Sequence, residues 1–314
     1  MLIHTVEKGD TLYEIGKKHQ VTVSELIAAN GNSVLPTLII GQSVIVPTPP
    51  KKLGKIITNG YAYPNIKAET LDSFLPMLSL ITPFSYGVTD SGGIIELSDS
   101  EIIMRAENQG VLPLLIITSL TENGNFSSER AAKILDSQSL EDALIQNIIN
   151  KLETQNYYGV DIDFEYIEPR LEQNYADFIL KLRQKLSPLG YKVFVSVAPK
   201  TSAMQRGLLY EAHNYQKLGA AADYILVMTY EWGYTYGPAM AVAPIDKVRE
   251  VLTFAKSQIP PEKILMGIPN YCYDWTLPYV RGSKAESMSN DMAITRARNV
   301  GAEIKFDSRA QTPF

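Results

Sequence analysis

The hydrophobic and polar positions of the first 48 residues repeat as in a small module of strands and helices. Two apolar segments alternate like strands, and two segments between them carry apolar residues at helical spacing. Asp10 is placed to cap the first helix, and Thr22 or Ser24 is placed to cap the second. In chain order the four segments are 3–6, 9–19, 22–31 and 38–47. The pattern predicts the order strand, helix, helix, strand.

From residue 55 onward, strand-like and helix-like segments alternate along the chain. The strand-like segments are nearly continuous apolar runs, which are typical of a parallel sheet covered by helices. They are 57–63, 81–88, 111–118, 159–166, 192–199, 224–230 and 264–271. Helical patterns such as 139–156 and 174–190 lie between them. Since no glycine-rich phosphate loop follows the first strand, we predict an α/β fold of the (β/α)8 TIM-type barrel rather than a dinucleotide-binding sheet.

A barrel of this type needs eight strands, and the pattern shows seven. After residue 271 the chain reads as polar loop and helix and ends at Phe314. We therefore expect that the eighth strand is missing from this chain and that the parent protein is longer.

A proline-rich segment separates the two parts. "VPTPPKKLGK" (46–55) has three prolines within four residues, a composition that suits an extended connector. We predict a module at 1–48, a connector at 49–55 and a barrel at 56–314, C-terminally truncated.

Composition narrows the classes of partner. The chain has 314 residues, 45% hydrophobic and 20% charged, and a formal net charge of −5 without a basic cluster, so nucleic acid is not an expected partner. The longest apolar run, 111–118, is far shorter than the roughly 20 residues that span a bilayer, so no membrane insertion is expected.

The lone Cys272 excludes internal disulfides. The N-terminus lacks the features of a secretion signal, and we expect synthesis in the cytoplasm.

Three carboxylates occupy alternate positions of "YGVDIDFEY" (158–166). In a strand Asp161, Asp163 and Glu165 face the same way, and Val160, Ile162, Phe164 and Tyr166 face the other. In a barrel we expect the acids to line the interior, with Asp161 deepest and Glu165 at the C-terminal mouth.

These acids are suited to proton transfer. Like charge and poor solvation both raise carboxyl pKa values, so the group should share protons, as a proton donor near neutral pH requires. Neither other explanation of the cluster fits. An ion-paired core lacks a strand Arg or Lys partner, and a calcium loop of the EF-hand type needs glycine where Tyr166 stands.

The first part resembles a LysM module along its whole length, through "GDTL" at 9–12, "VTVSEL" at 21–26 and "GQSVIVP" at 41–47. The resemblance implies binding of N-acetylglucosamine polymers such as peptidoglycan or chitin, in a groove between two loops. Gly9, Asp10 and Thr11 also fit a simple turn and helix cap. The residues that the resemblance places at the glycan are Gly9, Asp10, Thr11, Leu12, Asn30, Leu38, Ile39 and Ile40.

The second part resembles glycoside hydrolase family 18, whose fourth-strand signature is D-G-x-D-x-D-x-E. Gly159 and the three acids match it, and Tyr158 stands at the first Asp, a position that we assign to the outward set. "VMTYEWG" (227–233) is similar to the sixth-strand Met-x-Tyr-Asp, with Glu231 in place of Asp. "SVAP" (196–199) and "GIPNYCYDW" (267–275) are similar to the fifth and seventh strands.

The family resemblance implies a retaining, substrate-assisted hydrolysis without a cofactor. The substrate's acetamido oxygen would attack the anomeric carbon, and Glu165 would protonate the leaving oxygen. Asp163 would hold the acetamido N–H, and Asp161 would share its proton. Tyr230 would donate to the acetamido carbonyl, and Glu231 would bind a sugar hydroxyl.

Several aromatic residues near strand ends could stack on sugar rings, although each fits core packing equally well. They are Tyr61, Phe84, Tyr86, Trp232, Tyr271 and Trp275. Asn270 and Glu231 complete the expected substrate contacts. The chain's three histidines, His4, His19 and His213, are scattered, so no metal site is expected.

Both parts point to N-acetylglucosamine polymers, so we expect an N-acetylglucosaminidase. A LysM module joined to such a barrel is similar to the spore-associated peptidoglycan hydrolases of endospore-forming bacteria, which act on cortex fragments during germination. This likeness implies a spore location, in the coat or the cortex. The alternatives are a chitinase or chitooligosaccharide hydrolase, and a non-catalytic glycan-binding protein.

Overall fold

A computed structural model describes residues 2–49 and 54–314. By its internal contacts the chain divides into two units. One contains Met1–Gly54, Tyr230–Arg249 and Ile268–Phe314, and the other contains Lys55–Thr229 and Glu250–Gly267. Residues 50–53 of the expected connector lie outside the described residues. The boundaries at 48 and 55 therefore remain a prediction.

The N-terminal module has the predicted element order. Strands β1 and β2 pair antiparallel, with Leu2 opposite Val46. The elements are β1 Leu2–Thr5, α1 Leu12–His19, α2 Val23–Asn30 and β2 Ser43–Val46. Their buried side chains form one small core, made of Val6, Ile15, Leu26, Val34, Val44 and Val46.

The helix caps are assigned differently from the sequence prediction. Thr11, not Asp10, caps α1 by accepting from the Glu14 N–H. The Asp10 carboxylate instead accepts from the Glu7 N–H at 2.8 Å, which closes the turn before the helix. Thr22 caps α2, as one of the two predicted candidates, and forms a capping box with Glu25.

The second unit is built on a seven-stranded parallel sheet. The strands of this unit are β3 Asn59–Ala62, β4 Leu80–Pro83, β5 Gly87–Val88, β6 Ile94–Ile95, β7 Leu112–Thr118, β8 Gly159–Asp163, β9 Lys192–Val197, β10 Tyr224–Val227 and β11 Ile264–Met266. Within the sheet they run in the order β3-β4-β7-β8-β9-β10-β11, and helices separate most of them in sequence. Strands β5 and β6 form a separate antiparallel ribbon. The α/β class and the barrel-type sheet with seven strands are confirmed.

Helices cover this sheet with their apolar faces. Residues such as Leu144, Ile148 and Phe178 are completely buried. The helices are α3 Ala68–Phe74, α4 Ser100–Asn108, α5 Ser128–Leu135, α6 Gln138–Thr154, α7 Glu172–Leu186, α8 Tyr215–Ala221 and α9 Ile245–Gln258. The helices that were predicted at 139–156 and 174–190 correspond to α6 and α7.

The remaining residues of the first unit add small elements after the barrel-type sheet. They are β12 Tyr271–Asp274, β13 Glu286–Ser289, α10 Asn290–Val300, β14 Phe306–Asp307 and β15 Thr312–Pro313. Strands β12 and β13 pair antiparallel, and Arg296 joins them through ion pairs with Asp274 and Glu286. Among the helices in the described ranges, none is both long and apolar enough to cross a membrane.

The ends of β8 differ from the prediction. The strand stops at Asp163, the last residue that pairs with β7, rather than at Tyr166, whose φ is 55°. Tyr158 packs against the apolar cluster of Leu80, Leu114 and Phe194. Phe194 pairs in register with Asp161 and so faces the same side of the sheet. The assignment of Tyr158 to the outward set was therefore wrong, and Tyr166 lies beyond the strand, where the alternation does not apply.

The first residue of β8 is Gly159, and the backbone of β9 passes too close to it to leave room for a side chain. A Cβ at Gly159 would lie 2.2 Å from the Lys192 carbonyl oxygen on β9. We expect Gly159→Ala to lower the free energy of unfolding by about 1–3 kcal/mol, since the two strands must separate. Urea denaturation measures this change. Gly54→Ala is the control, because a Cβ there meets no heavy atom within 4 Å. Equal effects of the two substitutions would contradict the prediction.

Candidate active site

Two aspartates on β8 are buried in the interior of the sheet. Asp161 is 0% exposed and Asp163, the last residue of the strand, is 4% exposed. Alternation along the strand puts both side chains on one face. Val160 and Ile162, between them, are fully buried on the other face. The interior placement that the sequence predicted for these two acids is what the structure shows.

Asp161 is held by hydroxyl donors from two other strands. The Tyr61 hydroxyl on β3 donates to its Oδ2 at 2.7 Å, and the Ser196 hydroxyl on β9 lies 3.0 Å from the same oxygen. Burial raises the pKa of Asp161 to about 6, and these hydrogen bonds oppose the rise by stabilising the anion. Asp161 is thus the better stabilised anion of the buried pair.

Asp163 lacks comparable support. Its Oδ1 is buried and accepts no hydrogen bond from any described residue. Burial, together with the nearby charges of Glu165 and Asp161, raises the pKa of Asp163 well above its ordinary value. A buried carboxyl oxygen without a donor is costly as an anion, so the surroundings of Asp163 favour its protonated form.

Glu165 follows β8 by two residues and is partly exposed. Exposure therefore increases from Asp161 through Asp163 to Glu165, which agrees with the predicted order from the deepest acid to the mouth. A partly exposed acid beside two buried ones can exchange protons with a bound molecule and with solvent. The arrangement is suited to general acid and base catalysis.

Of three predicted aromatic contacts in this unit, Tyr61 reaches Asp161, Phe84 meets the Tyr61 ring, and Tyr86 is buried in another cluster. The Tyr61 ring is 40% exposed and its edge meets Phe84, at 6.4 Å between centroids. Tyr86 is fully buried, and its hydroxyl donates to Asp99 at 2.7 Å next to Tyr157. Tyr86 cannot stack on a sugar from this position, so its prediction as a substrate contact was wrong.

The predicted residues around Glu231 form a second polar and aromatic cluster, which belongs to the first unit. Glu231 has a φ of 65°, and its carboxylate accepts from the hydroxyls of Tyr271 and Tyr273. Trp275 packs on Tyr273 and donates its Nε1–H to the Gly237 carbonyl at 2.9 Å. The sequence prediction missed Tyr273, whose position two residues after Tyr271 on the same strand was the available signal.

The indole N–H of Trp232 is buried, whereas Asn270 is exposed. The Nε1–H of Trp232 finds no acceptor among the described residues, and the Lys247 ammonium lies 5.7 Å from its ring centroid. The predicted roles of these residues, and that of Tyr230, remain predictions.

Two of the predicted glycan-binding residues, Asp10 and Asn30, form hydrogen bonds within the module. Asp10 accepts from His4 at 2.8 Å, and His4 in turn contacts His19 at 3.1 Å, so these two histidines are not scattered as the sequence suggested. The Asn30 amide bonds the Leu26 and Ile45 backbones and thereby ties α2 to β2. Capping and glycan binding remain compatible for these residues.

Only part of the predicted glycan loop is open to solvent. Leu38 packs against the module core and Ile39 is 7% exposed. Ile40 is 41% exposed, and its carbonyl accepts from the Ile304 N–H at 3.0 Å. The Ile40 side chain is therefore a suitable position at which to test glycan binding.

Comparison with known proteins identifies the family. The family model described as "Glycosyl hydrolases family 18" matches residues 101–314, and the "LysM domain" model matches residues 4–47. The chain belongs to glycosyl hydrolase family 18. It is therefore a glycosidase with an N-terminal LysM domain, as the sequence motifs predicted.

Its relatives in this family include spore enzymes. The cortical fragment-lytic enzyme of Bacillus anthracis is 34% identical over 99% of this chain and 85% of that protein. That of Bacillus subtilis (strain 168) is also 34% identical, over 100% and 85%. The crystal structure of the Bacillus cereus spore cortex-lytic enzyme SleL superposes with a TM-score of 0.91 at 30% identity, over 99% and 85%. A chitinase from Chromobacterium violaceum shares the fold, with a TM-score of 0.73 at 22% identity.

The Tyr61 hydroxyl offers a test of the family 18 site. Tyr61→Phe removes a donor to the Asp161 anion, so the pKa of Asp161 should rise further. We expect the acid limb of the pH profile of kcat/KM to move up by about one unit, which corresponds to a hydrogen bond to a charged group. Hydrolysis of a soluble chitooligosaccharide across pH 4–8 measures it.

Tyr63→Phe is the matched control for this experiment. Tyr63 is 67% exposed, and its ring also meets Phe84 at 5.8 Å. Its substitution should leave the acid limb where it is in the wild-type profile. An acid limb that does not move in the Tyr61→Phe variant would refute the assigned role of this hydrogen bond.

Proposed function

We propose that this chain hydrolyses β-1,4 bonds at N-acetylglucosamine in peptidoglycan, acting on spore cortex fragments during germination. The carrying observation is the series Asp161, Asp163 and Glu165 on and after β8, in a chain 34% identical to a cortical fragment-lytic enzyme over 99% of its length. The spore coat or cortex is the corresponding location, supported by the names of the relatives.

The proposed reaction is retaining and uses the substrate's own acetamido group. The acetamido oxygen attacks the anomeric carbon while the bond to the leaving oxygen breaks, and Glu165 gives its proton to that oxygen. The resulting oxazolinium ion is opened by water, which loses a proton to Glu165. The two half-reactions return Glu165 to its starting state.

The two aspartates prepare the acetamido group. The Oδ1 of Asp163, which has no donor among the described residues, is suited to accept the acetamido N–H, which would fix the carbonyl oxygen in line for attack. Asp161 has two hydroxyl donors, so it can carry the negative charge while Asp163 is protonated, and it can share the proton when Asp163 ionises. The proposed contacts of Tyr230 with the acetamido carbonyl and of Glu231 with a sugar hydroxyl rest on the family pattern alone.

The LysM domain would hold the enzyme on its polymer. Binding to one chain of N-acetylglucosamine polymer raises the local concentration of other cleavable bonds around the barrel. Within the predicted glycan loops, the exposed side chain of Ile40 provides apolar surface of the kind that sugar rings contact.

Loss of the proposed proton donor tests the reaction. Glu165→Gln keeps the size of the side chain but cannot ionise, so we expect hydrolysis to fall on the order of 10³-fold. Mass spectrometry of reducing ends, after incubation with cortex muropeptides and with chitin oligomers, measures it. New N-acetylglucosamine ends from muropeptides support the proposal. Cleavage confined to chitin would favour the chitinase alternative, and full activity of the variant would refute the mechanism.

Retention on insoluble polymer tests the LysM domain. In the Glu165→Gln background, Ile40→Asp should reduce cosedimentation with peptidoglycan about tenfold or more, because it places a charge at a contact with the sugar face. Ile56→Asp is the control, since Ile56 is 80% exposed and lies outside the module. Equal retention of the two variants would contradict a binding surface at Ile40.

A further inference from the structure

A buried histidine joins the segment that carries Glu165 to the neighbouring strand end. His213 is 1% exposed and lies just before α8. Its Nδ1 accepts from the Ala198 N–H at 2.8 Å, and its Nε2 lies 2.9 Å from the Phe164 carbonyl oxygen. Since a carbonyl oxygen only accepts, Nε2 carries the hydrogen and donates it. The two contacts together define one neutral tautomer.

The environment keeps this imidazole neutral. Burial lowers the pKa of His213 to about 4; the hydrogen bond to the Phe164 carbonyl opposes this fall in part, and the Lys200 ammonium adds a smaller lowering. The Lys200 Nζ donates to the carbonyls of Tyr210 and His213 itself. At neutral pH the ring therefore accepts one hydrogen bond and donates one. Its single N–H is used in the bond to Phe164, so the ring is not a proton donor for a reacting group.

Phe164 is the residue that links β8 to Glu165, and both its side chain and its carbonyl are fixed. Its ring stacks on Tyr175 and Phe178, each at 6.1 Å between centroids. Its carbonyl is fixed by His213. Because a peptide unit is planar, the carbonyl of Phe164 and the N and Cα atoms of Glu165 turn together. The orientation of this carbonyl therefore sets the direction in which the Glu165 side chain leaves the backbone.

We propose that His213 is a positioning residue for Glu165, which it orients by donating a hydrogen bond to the Phe164 carbonyl. This inference rests on the proposed function, in which Glu165 is the proton donor. Displacements of about 1 Å in a reacting group can lower a rate on the order of 10²-fold, so a single backbone hydrogen bond at this point is enough to matter.

Two amide substitutions separate the two hydrogen bonds of His213. An Asn side chain places its oxygen near the Nδ1 position, toward Ala198, but is too short to reach the Phe164 carbonyl. A Gln side chain places its N–H₂ near the Nε2 position, toward Phe164. We expect His213→Asn to lower kcat on the order of 10²-fold with KM little changed, and His213→Gln to retain at least about tenfold more kcat than that.

A third variant controls for loss of stability in the same region. The Tyr215 hydroxyl donates to the Ala198 carbonyl at 2.6 Å and accepts from the Lys200 N–H at 2.9 Å. Tyr215→Phe should lower the melting temperature and leave kcat close to the wild-type value. It removes contacts of the same loop without removing the hydrogen bond to Phe164.

The measurements are kcat, KM and melting temperature on a chitooligosaccharide and on cortex muropeptides, with Glu165→Gln as the inactive reference. Equal kcat in the Asn and Gln variants of His213, or a loss in Tyr215→Phe as large as in His213→Asn, would overturn the positioning role and leave the proposed function standing. A wild-type protein inactive on both substrates would overturn the proposed function and this inference with it.

Discussion

The burial of carboxyl groups inside a parallel sheet is the constraint on which the rest of this structure depends. The rise of the Asp161 pKa from 3.8 to about 6 corresponds to about 3 kcal/mol against its ionised form. A raised carboxyl pKa means that this cost is absent at low pH and grows as the pH rises through that range. Donors from β3 and β9 limit the cost at Asp161, and the close packing around β8 keeps the acids from turning toward water.

The strand that carries these acids could be predicted because its information is local. Alternation within 159–163 specifies one apolar and one acidic face, and a parallel sheet with helices on it follows from the continuous apolar runs. The end of β8 could not be predicted in the same way. It coincides with the end of pairing with β7, at Asp163 opposite Thr118, and the residue pattern along β8 alone does not contain this information.

The partners of the acids were less accessible to sequence reasoning. The hydrogen bond from Tyr61 to Asp161 spans 100 positions, and the one from Ser196 spans 35, so no local pattern contains them. The same reason explains the error at Tyr86, which sits near a strand end like Tyr61 but points into a buried cluster with Asp99 and Tyr157. The position of a residue along a strand predicts how far it lies from the end of the sheet. Which aromatic ring faces the interior acids is determined by how the strands assemble.

The two aspartates differ in their hydrogen-bond donors, and this difference indicates which carboxyl group carries the proton before a substrate binds. In the unliganded protein the anion is better placed on Asp161, which has two hydroxyl donors, and the proton on Asp163, whose Oδ1 has no donor among the described residues. A ligand that brings an N–H to that oxygen reverses the preference, because the new hydrogen bond stabilises charge on Asp163. In the reaction proposed above, negative charge would then lie beside the acetamido group as that group becomes positive. Under the proposed function, the anion would move to Asp163 only once a substrate N–H reaches its Oδ1, because burial and the neighbouring acids oppose ionisation of Asp163 until then.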